Sequence, residues 1–87
     1  MTSTVYANSF VQEDTVDGTV TVTFPWKSRR IIVTNDSGID NLSVSPRAGS
    51  LVNHTLGPGE SLTLDFRSNA VELTSTEPIG YRVWAFG

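Results

Sequence analysis

The sequence of 87 residues has no cysteine, a single histidine and a single methionine. Without cysteine there are no disulfides and no thiolate metal sites, so stability must come from apolar packing, from sheet hydrogen bonding or from association with other chains. Basic residues are scarce, six Lys and Arg against nine Asp and Glu, and the net charge of −3 repels a phosphate backbone, which argues against nucleic acid as a partner. No run of residues approaches the roughly 18 apolar positions of a membrane span, which argues against a membrane partner. Residues 1–12 carry no basic stretch leading into an apolar one, so no export signal is read and a soluble, cytoplasmically made chain is expected. Helical periodicity is also missing. A chain this short supports one modest core that buries about 60–65% of the unfolded surface.

What the sequence does hold is β-pattern. Hydrophobic residues make up 38% and Ser plus Thr supply about a quarter, a composition common where one sheet face meets water. The clearest stretch is residues 56–66, where Gly57-Pro58-Gly59 reads as a type II turn and Leu62, Leu64 and Phe66 then alternate with Ser61, Thr63 and Asp65. Residues 1–12 read as an extended arm or edge strand and residues 13–87 as a single domain. Asp17-Gly18 is read as a tight hairpin turn opening a strand at 19–24, which Pro25 ends by withholding an N–H. Trp26 to Arg30 form a basic loop, residues 31–34 a short strand apolar on both faces, and Leu42 and Val44 alternate until Pro46. A weaker strand spans 50–55, Val71 and Leu73 mark another, Glu77-Pro78 a loop, and residues 79–86 the last strand. About eight short strands with turn signals between them predict an all-β, small antiparallel β-sandwich, of jelly-roll or immunoglobulin-like type.

Catalytic and metal chemistry find few residues to use. His54 has no second imidazole beside it, and the acidic groups Glu13-Asp14-Asp17 and Asp36-Asp40 lack the spacing of a calcium loop, so no metal and no cofactor are expected. Ten serines share one candidate base, and a sandwich of this size seldom encloses a rigid pocket, so no catalytic residue is assigned and an enzyme is not expected. Asn35-Asp36-Ser37, Asn41-Leu42-Ser43 and Asn53-His54-Thr55 match the glycosylation pattern, but with no export signal they are chance matches. Interface chemistry is better represented. Trp26 with Lys27, Arg29 and Arg30 forms the basic aromatic loop, and Arg82 and Trp84 share one face of the last strand, with Tyr81 on the other. Tyr6 and Phe10 of the N-terminal arm complete the expected interface set, the arm being placed to add a strand to a neighbour's sheet.

From Arg30 to Gly87, about two thirds of the chain, the sequence resembles small β-sandwich accessory proteins of tailed-bacteriophage virions, which include head-decoration (cement) and tail-associated modules. The resemblance lies in residues 31–36 (IIVTND), 56–64 (LGPGESLTL) and 81–87 (YRVWAFG). It implies a structural virion component without enzymatic activity, made in the host cytoplasm and located on the capsid surface. The expected role is a decoration protein that binds the major capsid protein lattice as a homotrimer or other homo-oligomer and stabilises the head. Two alternatives stand beside it: a tail, fibre or surface lectin-like module that binds carbohydrate through Trp26 or another exposed aromatic, and a ring-forming tail-completion or connector protein.

Overall fold

The computed structural model describes residues 9–46, 53–65 and 67–87. These form six strands: β1 (Ser9–Ser28), β2 (Arg30–Asn35), β3 (Leu42–Ser45), β4 (His54–Leu56), β5 (Ser61–Leu64) and β6 (Ser68–Phe86). Every pairing is antiparallel, so the expected all-β antiparallel class is found. No helix among these residues is long and apolar enough to cross a membrane.

The sheet is organised around β6. One edge of β6 pairs with β1 from Ser9↔Phe86 to Ser28↔Ser68. The other edge is shared: β2 takes residues 81–86 and β3 takes residues 72–74. Strand β5 then pairs with β2, and β4 with β3, giving the order β4-β3-β6-β2-β5 with β1 on the far side of β6. The alternation explains the core. Val71, Leu73, Ile79, Tyr81, Val83 and Ala85 of β6 are buried, as are Ile31 and Val33 of β2, Leu42 and Val44 of β3, and Val16, Val22 and Phe24 of β1.

Three expected chain breaks lie inside strands, which is why six elements replace about eight. Asp17-Gly18 is not a hairpin: Val16 pairs with Ile79 and Gly18 with Ser75, so Asp17 alone faces Thr76, Glu77 and Pro78. Pro25 does not end its strand either. Phe24, Pro25, Trp26 and Lys27 lie opposite Asn69 alone, between the pairs Thr23↔Ala70 and Ser28↔Ser68. A proline withholds a ladder donor, and an irregularity is where a ladder tolerates that, so Pro25 and Pro78 each mark a bulge. Gly18 supplies the positive φ, +94°, that the first irregularity uses. These bulges bend the ribbon: 20 straight strand residues would measure about 66 Å, whereas the longest dimension of the molecule is 45 Å.

The basic loop is likewise corrected. Trp26, Lys27 and Ser28 belong to β1, Arg30 opens β2, and only Arg29 lies between, its N–H donating to the Phe86 carbonyl at 2.6 Å. The turn before β5 forms as read: Glu60 N–H donates to the Gly57 carbonyl at 3.1 Å, and Gly59 takes a φ of +74° behind Pro58. Leu64 is buried and Leu62 packs partly against the core, while Phe66 and residues 50–52 of the weaker strand expected at 50–55 lie outside the described residues.

Asn35 is fully buried at the end of β2 and its side chain is engaged on both sides. Its Nδ2 donates to the carbonyls of Asp40 (2.8 Å), Leu56 (3.1 Å) and Gly57 (3.1 Å), and its Oδ1 accepts from Ser37 N–H (2.9 Å). One side chain thereby ties the loop after β2 to the turn between β4 and β5. No buried side-chain polar atom among the described residues lacks a partner, as a satisfied interior requires.

Candidate docking face

With the odd positions of β6 and β2 spent on the core, their even positions face outward together with the odd positions of β1 and β5. The register places them in rows. Val11 pairs with Trp84, Trp84 with Ile32 and Ile32 with Thr63, so an apolar row crosses from β1 to β5. Val11 is 57% exposed and Trp84 44%, whereas Ile32 is half-buried. Trp84 leans toward Phe86, with ring centroids 6.2 Å apart at 51°. Beside them Ser9, Phe10, Val11, Trp84 and Phe86 line an open depression of about 230 Å³. Drug-sized ligands occupy roughly 300–1,000 Å³, so the depression suits one or two apolar side chains of a partner better than an enclosed substrate.

Charge lies on both sides of this row. On one side Arg82 forms a fork with Asp36, Nε to Oδ2 and Nη2 to Oδ1, both at 3.0 Å. The hydrogen bond to Asp36 and then its charge, with a smaller contribution from Glu13, raise the Arg82 guanidinium above its ordinary value. On the other side Arg30 Nε donates to Asp65 Oδ1 at 2.7 Å. Thr34 and Ser61 share a hydroxyl hydrogen bond of 2.8 Å in the outer row. The face thus has an apolar centre and a polar rim, the arrangement of a protein docking surface.

The expected interface residues divide over this framework. Trp84 and Arg82 lie on the face, and Arg30 lies at its rim. Phe10 packs against the core, 5.3 Å from Phe24 between ring centroids, and also lines the depression. Trp26 is half-buried, 6.5 Å from Phe24 between centroids, so its ring is mostly spent on the core margin. Lys27 and Arg29 are exposed at the end of β1, beside the face rather than in it. Tyr81 is corrected to a core residue: it is 2% exposed and its hydroxyl accepts a 2.8 Å hydrogen bond from Gln12 Nε2, so its ring is closed to a partner. Tyr6 lies outside the described residues. Residues 9–12, within the expected arm, pair with residues 83–86 of the same chain.

Val11 and Ile32 are functional candidates that sequence reasoning passed over. Both belong to strands apolar on two faces, and that doubled hydrophobicity was the available signal. His54 is exposed on β4, and among the described residues no three His, Asp or Glu side chains gather as metal ligands.

Comparison with known proteins supports the fold and no more. No protein-family model and no curated protein matches the sequence. Among solved structures, the chain is similar to a cupin-2 domain containing protein from Shewanella frigidimarina NCIMB 400, with TM-score 0.60 and 15% identity over 93% of this chain and 72% of that one. It is similar also to a de novo designed double-stranded β-helix, with TM-score 0.63 and 18% identity over 87% of this chain and 97% of the design.

Proposed function

We propose that this chain is a non-enzymatic structural protein, a small jelly-roll sandwich that decorates a bacteriophage capsid by docking its Trp84 face on the major capsid protein. The observation that carries the docking reading is the exposed Val11–Trp84 pair beside Phe86, rimmed by two Arg–Asp pairs on the outside of a sheet whose other side is core. Tryptophan and arginine dominate binding energy at protein interfaces, most of all where a polar ring excludes water around them. The virion assignment is supported by the resemblance in residues 31–36, 56–64 and 81–87, and the last of these contains Trp84 itself. The jelly-roll reading is supported by the bent β1–β6 ribbon and by the double-stranded β-helix likeness.

The mechanism is additive burial. A standard contact buries about 800 Å² on each partner, and many copies on one lattice tie neighbouring capsomers together without any chemistry. Binding of purified protein to expanded heads, with a rise in the temperature at which the heads melt, is the expected result. Trp84→Ala, which removes a half-exposed side chain, should keep the fold and weaken head binding at least tenfold. Undiminished binding by a folded Trp84→Ala variant would overturn the docking face, and absence of the protein from purified heads would overturn the decoration role. A carbohydrate-binding module relying on Trp26 has less support, because that ring rests near Phe24.

A further inference from the structure

The longest unpaired strand edge among the described residues is the outer edge of β1. Among the described residues β1 pairs with β6 alone, so its opposite edge carries a row of backbone N–H and C=O groups that no described strand satisfies. The other unpaired edges among the described residues are shorter, those of β4 and β5 with three and four residues and the 75–79 segment of β6 on the side away from β1, and shortness is itself a protection against edge pairing. Between its two irregularities β1 runs regularly from Gly18 to Thr23, GTVTVT, with neither charge nor proline. Lysine, proline and bulges are the usual devices that keep an edge from pairing; between Gly18, which belongs to the first bulge, and the second bulge after Thr23 the stretch has none of them.

The ends of β1 determine what fits there. Exposed Glu13, Asp14 and Asp17 precede the regular stretch, and exposed Lys27 and Arg29 follow it. A second copy laid parallel would set acid beside acid and base beside base. Laid antiparallel, with the two-fold axis at Thr21, it sets Thr19 opposite Thr23 and Thr21 opposite its own counterpart, and brings the acidic end of each copy to the basic end of the other. The strand is self-complementary in one orientation and self-repelling in the other. We infer that the Gly18–Thr23 edge of β1 pairs antiparallel with the same edge of a second copy, forming a two-fold dimer with a continuous sheet. This surface is separate from the Trp84 face, so either can fail without the other.

The test is sedimentation equilibrium of the whole chain. The wild type is expected to have about twice the 9.5 kDa chain mass. Thr21→Lys and Thr21→Glu each place like charges directly opposite on the axis, where such pairs are destabilising, and each should raise the dimer dissociation constant at least tenfold. An equimolar mixture of the two should recover a dimer containing one copy of each. A monomeric or trimeric wild type, single variants that dimerise as the wild type does, or a mixture that stays monomeric would each overturn the inference. Should either variant not fold, amide exchange on the wild type decides. Protection in residues 18–23 that rises with protein concentration supports the dimer, and protection independent of concentration overturns it.

Discussion

Asn35 shows how much one residue can hold. Its side chain serves three carbonyls and one N–H across 22 positions of sequence, at full burial. Replacing it with leucine strands those groups, so Asn35→Leu is expected to cost about 2–4 kcal/mol in urea unfolding, far more than an ordinary surface change. Gly59 makes a smaller and different contribution. A Cβ built there meets nothing within 4 Å, so Gly59→Ala is opposed only by the positive φ and should cost about 1–2 kcal/mol. The turn was legible from Gly57-Pro58-Gly59 alone because its geometry is local. Asn35 was not: no local pattern marks it as buried, and its burial depends on a turn two strands away. Tyr81 was misread for a similar reason. Its partner, Gln12, lies 69 residues off, at the other end of the chain.

At the scale of the element, β6 carries two surfaces with opposite demands. Val83 is fully buried and its neighbour Trp84 faces out, so two consecutive substitutions should diverge. Val83→Asp buries an unpaired carboxylate and is expected to yield no folded protein, while Trp84→Asp keeps a β-type circular dichroism spectrum and loses only docking. Equal behaviour of the two would contradict the assigned faces. Strands β2, β3 and β5 were legible because each is a short run of β-forming residues bounded by turn or loop signals, β3 and β5 with clear alternation and β2 apolar on both faces. The long pair was not legible as such. Proline and Asp-Gly are strong turn signals in a window of six residues, and only a partner strand 40 or more positions away converts them into bulges. The outer row of the docking face was half-legible for the same reason: the sequence showed two apolar faces on residues 79–86, but the neighbours Val11 and Ile32 came with the register.

For the molecule as a whole, the decisive pairing is between its two most distant strands, with Ser9 against Phe86. Contacts that far apart form only after a large loop has closed, so refolding should take milliseconds to seconds, as all-β domains of high contact order do. Stopped-flow fluorescence of the two tryptophans measures this, and refolding well below a millisecond would contradict the topology. The all-β class was readable from composition and period, whereas the order β4-β3-β6-β2-β5 was not, because no local pattern states which distant strands meet.

The same ribbon has a mechanical consequence. Because Ser9 and Phe86 lie side by side, a force pulling the two ends of the chain apart meets one cross-strand pair at a time and opens the ribbon like a zipper. A shear geometry would instead load all the pairs together. Pulled through its ends the molecule should yield at low force in an optical trap; pressed or stretched across its sheet faces it should resist. A protein built this way suits a load spread over its surface, and any tether fixed to both ends would attach at its weakest direction.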